Sequence, residues 1–193
     1  MSLGVESLAK SRSKNRRSKK PRFIDKILKT GMFILAVLVI TYLLSVFVVQ
    51  RMKVHSTSMM PTLLSEDSIL IDKISYRFRE PQRYEIIIFK QKITGDELIK
   101  RVIALPGETV RITDGKILID GEEIEDVEET EPPLYPGLAA GEIKLHSGEY
   151  FVLGDNRTDS IDSRYEEVGI VTDTRIIGRL WMRILPLSDF KVF

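Results

Sequence analysis

The feature that most restricts this chain is the run GMFILAVLVITYLLSVFVVQ, from Gly31 to Gln50, in which no charged residue occurs. A helix of roughly 20 apolar residues crosses about 30 Å of hydrocarbon. Thr41, Tyr42 and Ser45 do not count against such a helix, because a helical hydroxyl can bond back to its own backbone. A core helix of a globular domain would show a polar face, and this run has none. A cleavable leader would have an apolar core of about 7–15 residues followed by small residues. Here the run leads instead into Phe47-Val48-Val49-Gln50-Arg51. The expectation is a retained transmembrane helix over 31–50.

Charge sets the orientation of that helix. Of the 29 Lys and Arg residues, ten precede residue 31, against Glu6 and Asp25 there, and nineteen follow, facing 26 acidic residues from Arg51 onward. By the positive-inside rule residues 1–30 form a basic cytoplasmic tail and 51–193 an extracytoplasmic body, which places the chain in the cell membrane as a single-pass protein. The first 22 residues are too poor in apolar side chains to fold alone. Beside an anchor, their charge fits anionic lipid of the bilayer, and nucleic acid is not expected as a partner. The length allows one domain plus the anchor. With no cysteine there is no disulfide, thiolate nucleophile or Cys-based zinc site. His55 and His146 are the only histidines, too few for a histidine-rich metal centre, and neither metal nor organic cofactor is expected.

Beyond residue 51 no long helical periodicity appears, and the pattern is one of strands. Residues 68–72, 85–90 and 149–153 are short β-branched or aromatic runs. Val110-Arg111-Ile112 and Lys116-Ile117-Leu118-Ile119 flank Thr113-Asp114-Gly115, and Asp120-Gly121 precedes Glu122-Glu123-Ile124; Asp-Gly pairs between such runs are strong hairpin signals. Arg175 to Ile184 reads as one long strand stopped by Pro186. The acidic stretch EDVEETEPPLYPGLAAGE, 125–142, is too polar for core and is expected as a surface loop within an inserted hairpin region of about 107–147. The fold expected is therefore mainly β, an antiparallel domain behind one N-terminal helix.

Candidate chemistry lies in three stretches: His55-Ser56-Thr57-Ser58-Met59-Met60-Pro61-Thr62-Leu63, Glu97 to Glu108, and Gly154 to Arg164. The first alone is ambiguous, since Ser and Thr cap helices and Pro favours turns. A serine nucleophile needs a base and donors for the oxyanion. His55 and His146 are the only candidates for a Ser-His-Asp triad, and neither sits in a stretch with a catalytic pattern. A lysine serves if burial brings its pKa from about 10.4 to near 7. In a strand, Lys100 shares a face with Leu98 and Val102, while Ile99 and Arg101 point the other way. Most strand lysines are nonetheless solvated, as Lys90, Lys92 and Lys116 are expected to be.

Together the three stretches resemble the type I signal peptidases, membrane-bound serine proteases that remove signal peptides, from Ser56 to Arg164 and on to Gly178-Arg179-Leu180-Trp181. The resemblance implies that Ser58, in Ser-Met-x-Pro-Thr, is the nucleophile, and that Lys100, in Lys-Arg-Val-x-x-Leu-Pro-Gly, is the general base. It implies that the Ser56 hydroxyl joins the Ser58 N–H in the oxyanion hole and that Ser160 hydrogen-bonds and orients the lysine. Asp162 and Arg164 correspond to a structural ion pair near the site, to which Asp155 would contribute. The implied partners are signal-peptide-bearing preproteins, cut after small residues at the first and third positions before the scissile bond; oligomeric state is left open. Such a substrate suits strand addition at a sheet edge. Met59, Met60, Ile86, Ile88, Leu98 and Val102 could line its pockets, core packing being the default for each.

Two departures from the family pattern, Arg83-Tyr84-Glu85 and Thr158-Asp159, fall in loops and change no catalytic atom. Rival readings are few. A β-lactamase-type site wants Lys three residues after Ser, and position 61 is proline. Self-cleaving repressor relatives would need a DNA-binding helical domain at the N-terminus. A membrane-tethered β binding module, or an inactive paralogue, would hold Ser58 and Lys100 only as turn and strand residues.

Overall fold

The computed structural model describes residues 22–126 and 130–193; the side chains of 22 and 44–47 also lie outside the described residues, as does the basic tail up to residue 21. Two compact units are present, Met1–Thr41 and Tyr42–Phe193. The single α-helix among the described residues, α1, spans Arg22–Phe47. Its described apolar side chains, Phe33, Leu35, Leu38 and Tyr42 among them, are all exposed. Among the described residues no helix is long and apolar enough to cross a membrane. The uncharged run of the sequence does not coincide with this helix either: it continues through 44–47, and its last two residues, Val49 and Gln50, belong to a strand. The expected span of 31–50 is therefore corrected at its C-terminal end.

Twelve strands are seen among the described residues: β1 (Val49–Lys53), β2 (Ser68–Asp72), β3 (Ile86–Lys90), β4 (Glu97–Ala104), β5 (Thr109–Thr113), β6 (Lys116–Ile119), β7 (Glu122–Glu123), β8 (Ile143–Lys144), β9 (Glu149–Leu153), β10 (Val171–Thr172), β11 (Ile176–Leu185) and β12 (Lys191–Val192). All pairings are antiparallel. The large sheet runs β1-β2-β11-β3-β4-β9-β10, with β12 beside β11; the small sheet runs β7-β6-β5-β8. The small sheet is inserted between β4 and β9, within the region expected from the hairpin signals. Asp114 and Gly115 both have positive φ, as do Asp120 and Gly121, which is the backbone a two-residue type I′ turn demands.

Strand β4 is buried on both faces from Ile99 to Ala104, which carries Lys100 and Arg101 into the interior beside Ile99, Val102, Ile103 and Ala104. Ile99 packs with Met59, Leu63, Ile86 and Ile88 on one side, and Val102 and Leu98 with Ile87, Phe89 and Tyr150 on the other. A third cluster joins β5 and β6 to the ends of β4 and β9 through Ile112, Ile117, Ile103 and Phe151. Ala139 is fully buried in that cluster. The 125–142 stretch is thus not surface throughout. A 3-10 turn at Gly137–Ala140 turns one small side chain into the core while Leu138 stays exposed.

Candidate active site

Ser58 sits in the turn after β1, where local spacing does the positioning. Met59 and Leu63, four residues apart, both enter the core, and the Leu63 N–H donates to the Met59 carbonyl. The exposed side of the turn is held by the loop after β9. The Asn156 N–H donates to the Ser58 carbonyl at 3.1 Å, Thr57 Oγ1 donates to Asp159 at 2.6 Å, and Thr62 Oγ1 donates to Asp155 at 2.5 Å. Gly154 begins that loop, and it must be glycine: a Cβ there would lie 2.1 Å from Ser160 Oγ and 2.5 Å from the Ser58 carbonyl.

Lys100 enters from β4, opposite Ile87 of β3. Only 3% of it is exposed, and its Nζ lies 2.6 Å from Ser58 Oγ, a hydrogen bond spanning 42 residues of chain. Burial pushes the amine down to about 8, because a charge loses its hydration there; Asp162 and Asp155 pull it back up and Arg164 lowers it further. Beside this contact the Ser58 N–H donates to Ser56 Oγ at 3.1 Å.

The remaining expected residues lie close behind. Asp162 makes a two-point contact with Arg164, Oδ1 accepting from Nε and Oδ2 from a terminal nitrogen, both at 2.8 Å. Ser160 Oγ donates to Asp162 Oδ2 at 2.8 Å, and among the described residues no hydrogen bond joins Ser160 to Lys100. Asp155 departs from expectation: it does not join the Asp162–Arg164 pair but binds Arg101, at 2.8 and 2.5 Å. Reasoning from sequence left Arg101 without a partner. The signal was there, since an arginine in a strand that is apolar on both faces has to find a buried acid. Thr62 and Asn156 were also missed, being bound through loop geometry that no spacing rule encodes. His55 is exposed and lies 3.8 Å from Glu66, and His146 is exposed; neither approaches Ser58 by a hydrogen bond.

A cavity of about 100 Å³ opens beside the serine, lined by Met52, Val54, Met59 and Ile99 together with Lys53, His55, Ser56, Ser58 and Glu97. Of the pocket candidates named from sequence only Met59 lines it; Ile86 and Ile88 are core beneath it, and Leu98 and Val102 belong to the other face of β4. Among the described residues no group of three or more His, Cys, Asp or Glu side chains could hold a metal.

A buried amine against a serine hydroxyl, with a backbone N–H alongside and a small cavity next to it, brings together groups that can act as base, nucleophile and oxyanion donor. The family described as Signal peptidase, peptidase S26, matches residues 27–185. "Probable signal peptidase I-2" of Synechocystis sp. (strain ATCC 27184 / PCC 6803 / Kazusa) is 36% identical over 166 residues, covering 83% of this chain and 74% of that protein. "Signal peptidase I" of Leptolyngbya laminosa is 40% identical over 150 residues, 74% and 71% of the two chains. "Signal peptidase I U" of Bacillus subtilis (strain 168) is 29% identical over 182 residues, 90% and 94%. Among solved structures, a signal peptidase I from Enterococcus faecalis V583 aligns at 35% identity with a TM-score of 0.44, covering 53% of this chain and 97% of that one. The chain belongs to the signal peptidase family, peptidase S26, and is a serine endopeptidase.

Proposed function

We propose that this chain removes signal peptides from preproteins at the membrane surface, with Ser58 as nucleophile and Lys100 as general base. The observation that carries the assignment of roles is the 2.6 Å contact between a buried Lys100 Nζ and Ser58 Oγ. In its neutral form the amine accepts the Ser58 proton as Oγ attacks the scissile carbonyl. The oxyanion that forms takes hydrogen bonds from the Ser58 N–H and the Ser56 hydroxyl. Without substrate that N–H is bound to Ser56 Oγ, so Ser56 turns about its Cα–Cβ bond to release it and to present its own proton. The Lys100 ammonium then protonates the leaving amine. Once the amine has left, Lys100 takes a proton from water as the hydroxide attacks the acyl carbon, and it returns that proton to Ser58 Oγ as the signal peptide leaves with a free carboxyl group. Ser160 donates to Asp162, which leaves its lone pairs to accept from the lysine ammonium, and Asp162 with Arg164 keeps that serine in place.

The cavity of about 100 Å³ beside Ser58 has room for a side chain of the substrate next to the scissile bond. The membrane anchor is supported by the uncharged run from Gly31, by the basic residues before it, and by the exposed apolar side chains of α1, which need an apolar surrounding. On this reading 1–30 is a cytoplasmic tail and the β body lies outside, next to the exported substrates.

The test is cleavage of a signal-peptide-bearing preprotein by detergent-solubilised enzyme over a pH series. Ser58→Ala and Lys100→Ala should each abolish turnover, and wild-type kcat/KM should fall about tenfold per pH unit below the lysine pKa of about 8. Undiminished cleavage by either variant sinks the dyad.

A further inference from the structure

The acidic stretch between β7 and β8 returns to the catalytic loop at two points. At the first, the Asp126 carboxylate accepts from both terminal nitrogens of Arg157, one of them at 2.6 Å. Arg157 is itself buried: its Nε donates to the Gly154 carbonyl at 3.0 Å, and its own carbonyl accepts from Arg164 at 2.8 Å. At the second, Arg164 donates to the Tyr135 carbonyl at 3.3 Å, and the Leu138 N–H donates to the Arg164 carbonyl at 2.9 Å. Gly137 between them has φ +53°, and a Cβ on it would lie 2.2 Å from the Arg164 carbonyl oxygen. Arg164 is therefore gripped from one side by Asp162 and from the other by residues 135–138, with 2% of it exposed.

The groups that act on Lys100 come from three places. Ser58 approaches from the nucleophile turn. Asp155 and Asp162 approach from the loop after β9, with Arg164 behind Asp162. Arg101, its neighbour on β4, pairs with Asp155. Asp155 thus has its counter-charge on the same strand as the lysine, whereas Asp162 depends on an arginine whose place is set by the inserted region.

We propose that Asp126 and the Tyr135–Leu138 segment are positioning elements of the active site: they fix Arg164 against Asp162 and so set the field at the Lys100 amine. The inference rests on Lys100 being the base. If Arg164 moves off Asp162, that carboxylate is left less neutralised, and it favours the ammonium form. The amine then gives up its proton only at higher pH, and less of it is neutral at pH 7.

Gly137→Ala is the direct probe. Alanine there meets both a left-handed backbone and the Arg164 carbonyl, and the collision displaces Arg164. The acidic limb of kcat/KM should move up by about 0.5–1 pH unit, a three- to tenfold loss of activity at pH 7 by the usual titration relation, carried in kcat with KM little changed. Asp126→Asn, which removes charge without bulk, should move the limb in the same direction by less. Gly141→Ala, in the same loop with φ outside the left-handed region and no atom within 4 Å of its Cβ, should leave the profile where it is. A folded Gly137→Ala enzyme with the wild-type limb overturns the proposal, as does a Gly141→Ala shift of equal size. If Gly137→Ala does not fold, Asp126→Asn decides: a shifted limb supports the positioning role and an unshifted one ends it. Lys100→Ala, assayed alongside, separates the two ideas, because retained activity there removes the base itself rather than its positioning.

Discussion

In the small sheet, Lys116 on β6 and Glu123 on β7 pair at 2.7 Å with more than half of each side chain in solvent; in the large sheet, Arg101 and Asp155 pair with 9% and none. The residue chemistry is alike and the energetics are opposite. A solvated pair exchanges one set of good hydrogen bonds for another and contributes little. A buried pair has already lost its hydration, so each partner holds the other in a place where neither could stand alone. The small sheet keeps its charges outside and its isoleucines inside. The large sheet and the loop after β9 take Lys100, Arg101, Arg157, Arg164, Asp155 and Asp162 into the interior of the β body, with Ser58 and Ser160 buried among them. Stability and catalysis therefore pull in different directions in the two halves of the β body.

The comparison breaks most visibly at Arg101. Arg101→Met leaves the Asp155 carboxylate buried without its counter-charge and should cost about 3–5 kcal/mol in urea denaturation, while the double variant Arg101→Met/Asp155→Asn should recover part of the loss. No recovery would mean that packing rather than charge carries the pair.

Lys100 tests the same contrast with the opposite sign. Its amine titrates at about 8 in the folded protein and near 10.5 when free. Between those values the unfolded chain holds a proton that the folded one has released, so wild-type stability should rise as pH goes from 8 to 10; below 8 the burial of the charge weighs fully against folding. Lys100→Met should accordingly be more stable at pH 7, on the order of 1–3 kcal/mol, inactive, and without that rise. A less stable Lys100→Met would show that Asp155 and Asp162 need the ammonium as counter-charge.

The smallest effect is expected in the small sheet. Lys116→Gln should leave the melting temperature at the wild-type value, because both partners of the pair it breaks are solvated. A clear fall would erase the distinction drawn between the sheets.

Much of the fold was legible in the residues because the signals were local. The Asp-Gly turns at 114–115 and 120–121 need only two backbone angles each, and the apolar run from Ile86 to Phe89 needs only its own side chains to declare a strand. Alternation along β4 placed Lys100 with Leu98 and Val102, whose cluster includes its cross-strand partner Ile87. Ser56, Ser58, Lys100, Ser160, Asp162 and Arg164, which the resemblance named, lie close together in the structure. Partnership could not be named in that way. Asp155 was placed with Asp162 and Arg164 but binds Arg101, and Ser160, expected on the lysine, donates to Asp162. The polar 125–142 stretch hides Ala139 in the core and Gly137 against Arg164.

The sequence by itself determined which side chains could do chemistry and which segments would be extended, since residue type and period are written along the chain. Only the tertiary structure decided which acid meets which base. Several carboxylates lie within reach of several arginines along the sequence, and the choice among them depends on where β4, the loop after β9 and the inserted region converge in space.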